Sequence, residues 1–215
     1  MEWKGRRKSA NVEDQRGKSG GGGLAIGGLG GLGVIVVFIY KLVGGNPTDI
    51  LNNAASQPTN QATQHYEPTA EEQQLADFVS VVLADTEDVW SEVFKENGLT
   101  YKDPKLVLFT NSVATACGSA TSAVGPFYCP GDQKLYIDLS FYQELKTQFN
   151  APGDFAMAYV VAHEVGHHVQ YLLGTSTKVS NEQRQLSKEQ ANALSVKLEL
   201  QADYYAGDFA HHNQQ

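Results

Sequence analysis

The sequence predicts an α+β fold, a helix-rich domain with a small sheet, preceded by one N-terminal transmembrane helix. Three features carry that reading. From Leu75 to Phe94 large apolar side chains recur at helical spacing. Two short strand-like runs come before a second helix that is apolar on most of its faces. Near the N-terminus, 22 consecutive residues, Ser19 to Tyr40, carry no charge.

In chain order, residues 1–18 form a basic segment, with six Lys or Arg against three acidic residues. The strongly apolar run covers residues 24–43, broken only by Lys41, and matches the hydrocarbon thickness of a bilayer. The transmembrane helix is therefore assigned to residues 19–43. Its glycines are no obstacle, because a helix in lipid satisfies its own backbone. Tyr40 and Lys41 suit a membrane interface. No A-x-A-like cleavage site follows, and VIVVFIY is too apolar for a flexible linker. Lys4, Arg6, Arg7, Lys8, Arg16 and Lys18 precede the run, while only Lys41 lies just after it. The positive-inside rule then puts residues 1–18 in the cytoplasm and the later chain in a periplasmic or extracellular compartment. An oxidising compartment favours a disulfide between Cys117 and Cys129, the two cysteines of the chain.

Residues 44–68 read as a linker rich in Asn, Gln, Thr, Pro and Ala. The folded domain is assigned to 69–215. Thr69 with Glu72 makes a capping-box signature ahead of the first long helix, and Asn97-Gly98 is its stop. Residues 105–110 (KLVLFT) and 134–139 (KLYIDL) read as strands, and 111–133 are small and turn-rich. A short helix is expected over 140–148. Pro152 suits the first turn of a central helix that runs to about residue 173 and stops at Gly174. Residues 182–210 are expected to be helical.

The net charge is −8 and the first 18 residues carry +3, so the other 197 carry −11. With no basic stripe to neutralise phosphates, nucleic acid is excluded as the main partner.

The central helix contains His163-Glu164-Val165-Gly166-His167, an H-E-x-x-H motif. Residues four apart share a helix face, so both imidazoles can reach one metal ion. Zinc takes imidazole nitrogen readily, and a catalytic site leaves one position for water. Glu164 is then the candidate general base. The neighbouring His168 points about 100° away around the helix and is read as a supporting or surface residue. A third protein ligand is required. The metzincin extension would need Gly at 170 and His at 173, where this chain has Gln170 and Leu173. A glutamate on the following helix is the other solution. Glu199 fits as that ligand, and Asp203, one turn on, can accept the free N–H of a ligand histidine such as His163. His211 and His212 are weaker candidates.

HEVGHHVQ, the later ELQAD, and the stretch CGSATSAVGPFYCPGDQKLYIDLSFYQEL together resemble a family of bacterial neutral zinc metallopeptidases. The basic start and the glycine-rich apolar run are similar too, and the resemblance covers nearly the whole chain. It implies a zincin-like fold with Glu199 completing a His-His-Glu site for one zinc ion per chain. It also implies that the strand before the active-site helix is an edge that binds extended substrate; this maps onto Lys134, Leu135, Tyr136, Ile137, Asp138 and Leu139. Tyr128 and Tyr136 are then candidates for stabilising an oxyanion. Two departures stand out: the family continues well beyond the glutamate helix, and the residue after the Asp, often Cys, is Tyr204 here.

The expected activity is hydrolysis of peptide bonds in a peptide or protein substrate by a membrane-anchored enzyme. The competing reading is a non-catalytic, membrane-tethered module for binding zinc or protein. It would require a fourth protein ligand, such as His211, in place of water.

Overall fold

The computed structural model describes residues 2–18, 66–147, 151 and 153–213. The transmembrane assignment at 19–43 and most of the linker lie outside the described residues. Among those described, no helix is long and apolar enough to cross a membrane.

The first helix, α1 (Ala70–Glu96), starts where the sequence signature places it. The Thr69 hydroxyl accepts from the Glu72 backbone at 3.2 Å, and the Glu72 carboxylate accepts from the Thr69 backbone at 2.7 Å. Two backbone donors that the helix cannot satisfy are thereby paired. Phe78, Val79, Val82, Leu83, Trp90 and Phe94 turn inward to the main core.

The sheet has four strands: β1 (Val12–Asp14), β2 (Lys105–Phe109), β5 (Phe127–Cys129) and β6 (Lys134–Asp138), in spatial order β1-β2-β6-β5. The first three in that order run parallel, and β5 is antiparallel to β6. Alternation sorts the side chains into two layers. Leu106, Leu108, Tyr128, Leu135 and Ile137 face the helices. Val107, Phe109, Phe127, Cys129 and Tyr136 face away and are covered with the help of Val113, Ala120 and Val124. Val113 and Ala120 belong to a small antiparallel ladder, β3 (Ser112–Thr115) with β4 (Gly118–Thr121), inside the stretch read as turn-rich. A Cys117–Cys129 disulfide ties the turn of that ladder to β5. The chain then runs through α2 (Phe141–Thr147), α3 (Asp154–Leu172), α4 (Thr175–Gln183) and α5 (Lys188–His212).

Two expectations are corrected. The run from Lys134 to Asp138 is not an edge: β6 is paired along its length with β2 on one side and over Lys134, Leu135 and Tyr136 with β5 on the other. With both flanks of Lys134, Leu135 and Tyr136 occupied, no peptide can pair along them, and Leu139 lies just past the strand. The outer strands of this sheet are β1 and β5. The N-terminal segment is the second. It was expected to be separate from the domain, yet β1 pairs with β2 in the register Val12↔Leu106, Glu13↔Val107, Asp14↔Leu108. Periodicity could not reveal a strand of three residues, two of them acidic.

Helices α3 and α5 pack closely, and a glycine permits it. A Cβ at Gly166 would lie 3.0 Å from the Ala202 carbonyl oxygen and 3.2 Å from its Cα. Ala202 and Ala206 are fully buried on the facing side of α5. Small residues on both helices therefore bring the backbones together, and Glu199 and Asp203, on the same face as Ala202 and Ala206, are carried toward α3.

Candidate metal centre

Glu199, His163 and His167 converge where α5 crosses α3. The Nε2 atoms of the two histidines are 3.2 Å apart. A Glu199 carboxylate oxygen lies 3.4 Å from His163 Nε2 and 3.5 Å from His167 Nε2. A tetrahedral ion with bonds of about 2.0–2.1 Å has ligands about 3.3–3.4 Å from one another, so this triangle has the size of one face of a zinc polyhedron. The three side chains are 12%, 13% and 14% exposed, so the triangle is not sealed from solvent.

The tautomers fit as well. His163 Nδ1 lies 2.9 Å from Asp203 Oδ1, a carboxylate that can only accept. His167 Nδ1 lies 2.9 Å from Gln170 Oε1. The Gln170 amide is oriented by its other end, which donates to the Leu198 carbonyl at 2.7 Å and to Gln201 Oε1 at 3.1 Å. In the neutral rings each Nδ1 is thus assigned the proton, which leaves each Nε2 lone pair for the centre.

Electrostatics favour a cation at this point. Burial works against a charged His163, but hydrogen bonds to Asp203 and Glu199 and the nearby Glu164 charge overcome it and lift the pKa to about 10. His167 is raised against the same burial penalty by Glu199 and Glu164. Burial would raise Glu199, yet its two histidine partners bring it down to about 2. The His163 hydrogen bond lowers Asp203. Three carboxylates, Glu164, Glu199 and Asp203, lie around the two imidazoles, a setting that suits a divalent ion.

Glu164 is fully buried beside the triangle, and burial raises its pKa despite the pull of His163 and His167 and a hydrogen bond from the Tyr128 backbone. Its Oε2 is buried with no hydrogen-bond partner. That orphaned oxygen, next to three converging donors, suits a proton acceptor facing a bound molecule.

The other expected residues lie elsewhere. The Tyr128 hydroxyl meets His168 Nδ1 at 2.9 Å, and His168 Nε2 meets the Lys102 carbonyl at 2.6 Å. The Tyr136 hydroxyl donates to Asp132 Oδ2 at 2.7 Å, and its ring stacks on Phe127 on the far side of the sheet. Each hydroxyl thus has its partner outside the triangle. His168 is completely buried, a pin between α3, β5 and the 99–104 loop. His211 and His212 lie about three turns beyond Glu199 on α5. Among the described residues the donor group is His163, His167 and Glu199.

Two supporting residues escaped the sequence reading. Tyr159 donates to the same Asp203 oxygen at 2.7 Å, one turn before His163. Gln170 entered only as a departure from another motif. The signal available was helical register: 159, 163, 167 and 170 follow one stripe of α3.

An α+β domain whose central helix carries H-E-x-x-H and meets a glutamate from the next long helix has the donor set of a candidate His-His-Glu metal site. The chain belongs to the family described as "Putative neutral zinc metallopeptidase", which matches residues 1–215. It is 46% identical over 221 residues to "Uncharacterized protein YpfJ" of Escherichia coli K12, covering 100% of this chain and 76% of that relative. It is 49% identical over 113 residues to "Uncharacterized protein Rv2575" of Mycobacterium tuberculosis H37Rv, covering 52% of this chain and 37% of the relative. No solved structure matches it significantly.

Proposed function

We propose that this chain is a zincin-like metallopeptidase that hydrolyses peptide bonds in a peptide or protein substrate, with His163, His167 and Glu199 holding one zinc ion and Glu164 as general base. The observation that carries the reading is the unpartnered Oε2 of buried Glu164 beside three convergent donors. When bound, zinc supplies a Lewis acid that polarises a carbonyl and lowers the pKa of a coordinated water.

The protein's own residues do the rest. Asp203 and Gln170 hold the ligand imidazoles in the tautomer that offers Nε2, and Tyr159 steadies Asp203. Glu164 takes a proton at its free oxygen and delivers it to the leaving amine. β5 offers an outer strand edge on which an extended substrate can pair, close to α3 because the Tyr128 backbone reaches Glu164. Pro126 and Pro130 bracket that edge and limit it to a few residues. A purely structural zinc site would need a fourth protein ligand, and His211 and His212 are far along α5.

The test is Glu164→Gln in the full chain. About one zinc per chain should remain, while hydrolysis of a peptide library falls about 10²–10⁴-fold. Unchanged hydrolysis would overturn the proposal.

A further inference from the structure

The basic segment before the apolar run is built into the domain that follows it. Ser9 donates its backbone N–H to the Ser80 carbonyl at 3.0 Å, Leu106 donates to Asn11 at 2.9 Å, and Gln15 donates to Leu108 at 2.8 Å. Trp3 packs on Phe78, with ring centres 5.5 Å apart. Arg6 pairs with Asp85 at 2.8 Å, Arg7 with Glu87 and Asp88 at 3.0 and 2.8 Å, and Lys8 with Asp77 at 2.7 Å. Glu13 is held by Lys105 and Lys134 at 2.9 and 2.8 Å. Ser9 and Arg16 are themselves buried. Asp85 and Glu87 are buried on a face of α1 that would otherwise need water, which makes residues 2–18 its cover.

The point of departure is also the point of return. Gly17 has φ +70°, and a Cβ there would lie 2.1 Å from the Tyr66 Cβ, so the chain on either side of residues 19–65 is in direct contact. Only one run between those ends, residues 24–43, is apolar and about as long as a bilayer crossing requires. Residues 44–65 contain Asn, Gln, Thr, Pro and Asp throughout and cannot serve as a return crossing. One crossing would leave residues 18 and 66 separated by roughly 30 Å of hydrocarbon, and β1 could not lie in the sheet. The positive charges that set the expected topology have a second explanation, since Arg6, Arg7, Lys8 and Arg16 are the partners of carboxylates.

We propose that residues 2–18 and the domain of residues 66–213 share one compartment as parts of one folded body. The expected cytoplasmic N-terminus with a domain on the opposite side is replaced by a single folded body.

The test uses the full chain in sealed membrane vesicles, with different epitope tags at the two ends and protease added outside. Both tags should be digested together, or both survive until detergent opens the vesicles. Digestion of one tag with protection of the other overturns the proposal. In the same vesicles a zero-length carbodiimide should join Lys8 to Asp77 within one chain, read by peptide mass spectrometry. Absence of that product while cross-links inside the 66–213 domain form would show that β1 has left the sheet, and would also overturn it.

Discussion

Two charge clusters in this molecule are built on opposite logic. In the first, Arg6, Arg7 and Lys8 meet Asp85, Glu87, Asp88 and Asp77, and the chain supplies both signs. In the second, Glu199, Glu164 and Asp203 surround two imidazoles whose Nε2 lone pairs point at one spot. The first cluster is complete and joins two parts of the chain. The second has converging donors and an orphaned carboxylate oxygen, and it calls for something from outside. Charge density alone does not separate a joint from a site; the balance of donors and acceptors does.

The sharpest way to break the comparison is to remove a convergent donor. Glu199→Ala should abolish stoichiometric zinc binding, measured by metal analysis after dialysis, with the fold retained by circular dichroism. If full zinc content survived, the second cluster would not be a His-His-Glu site. Removing a supporting partner should do less. Asp203→Ala and Gln170→Leu should each weaken zinc by about 10–100-fold in a chelator competition, because the imidazoles lose the acceptor that sets their tautomer.

Outside both clusters, His168 has its buried ring's pKa lowered by burial to about 4 from an ordinary 6.5. The unfolded chain therefore binds more protons than the folded one between those values. This contribution to stability is complete above pH 6.5 and is lost as pH falls toward 4. Urea melts across that range should flatten in His168→Phe. The variant should also cost about 1–3 kcal/mol at neutral pH, since the Tyr128 hydroxyl and the Lys102 carbonyl lose their partner. An unchanged pH profile would put the titration elsewhere. The smallest effect belongs to the joint. Arg7 is half-exposed, so Arg7→Ala should cost about 1 kcal/mol or less, and less still at high salt, read from denaturant midpoints.

Much of the site was legible because it is local. His163, Glu164 and His167 lie on one turn-and-a-bit of one helix, and Glu199 and Asp203 on one turn of another, so helical register alone groups them. The capping box at Thr69 and Glu72 was legible for the same reason, as both partners lie within four residues. The expectations that failed depend on non-local pairing. That β6 is interior depends on β2 and β5 lying on its two sides. The fates of the Tyr128 and Tyr136 hydroxyls depend on which sheet face each side chain takes and on what packs there.

The sequence by itself determined the donor types, their spacing and the helices that carry them, since these follow from hydrogen bonding and periodicity within a few turns. Only the tertiary structure decided that Gly166 lets Ala202 approach until Glu199 completes the triangle, and that a basic N-terminal stretch is the cover of α1 and an edge of the sheet. The physical reason is the same in both cases. A close approach and a strand pairing are properties of two surfaces, and neither surface's sequence names its partner.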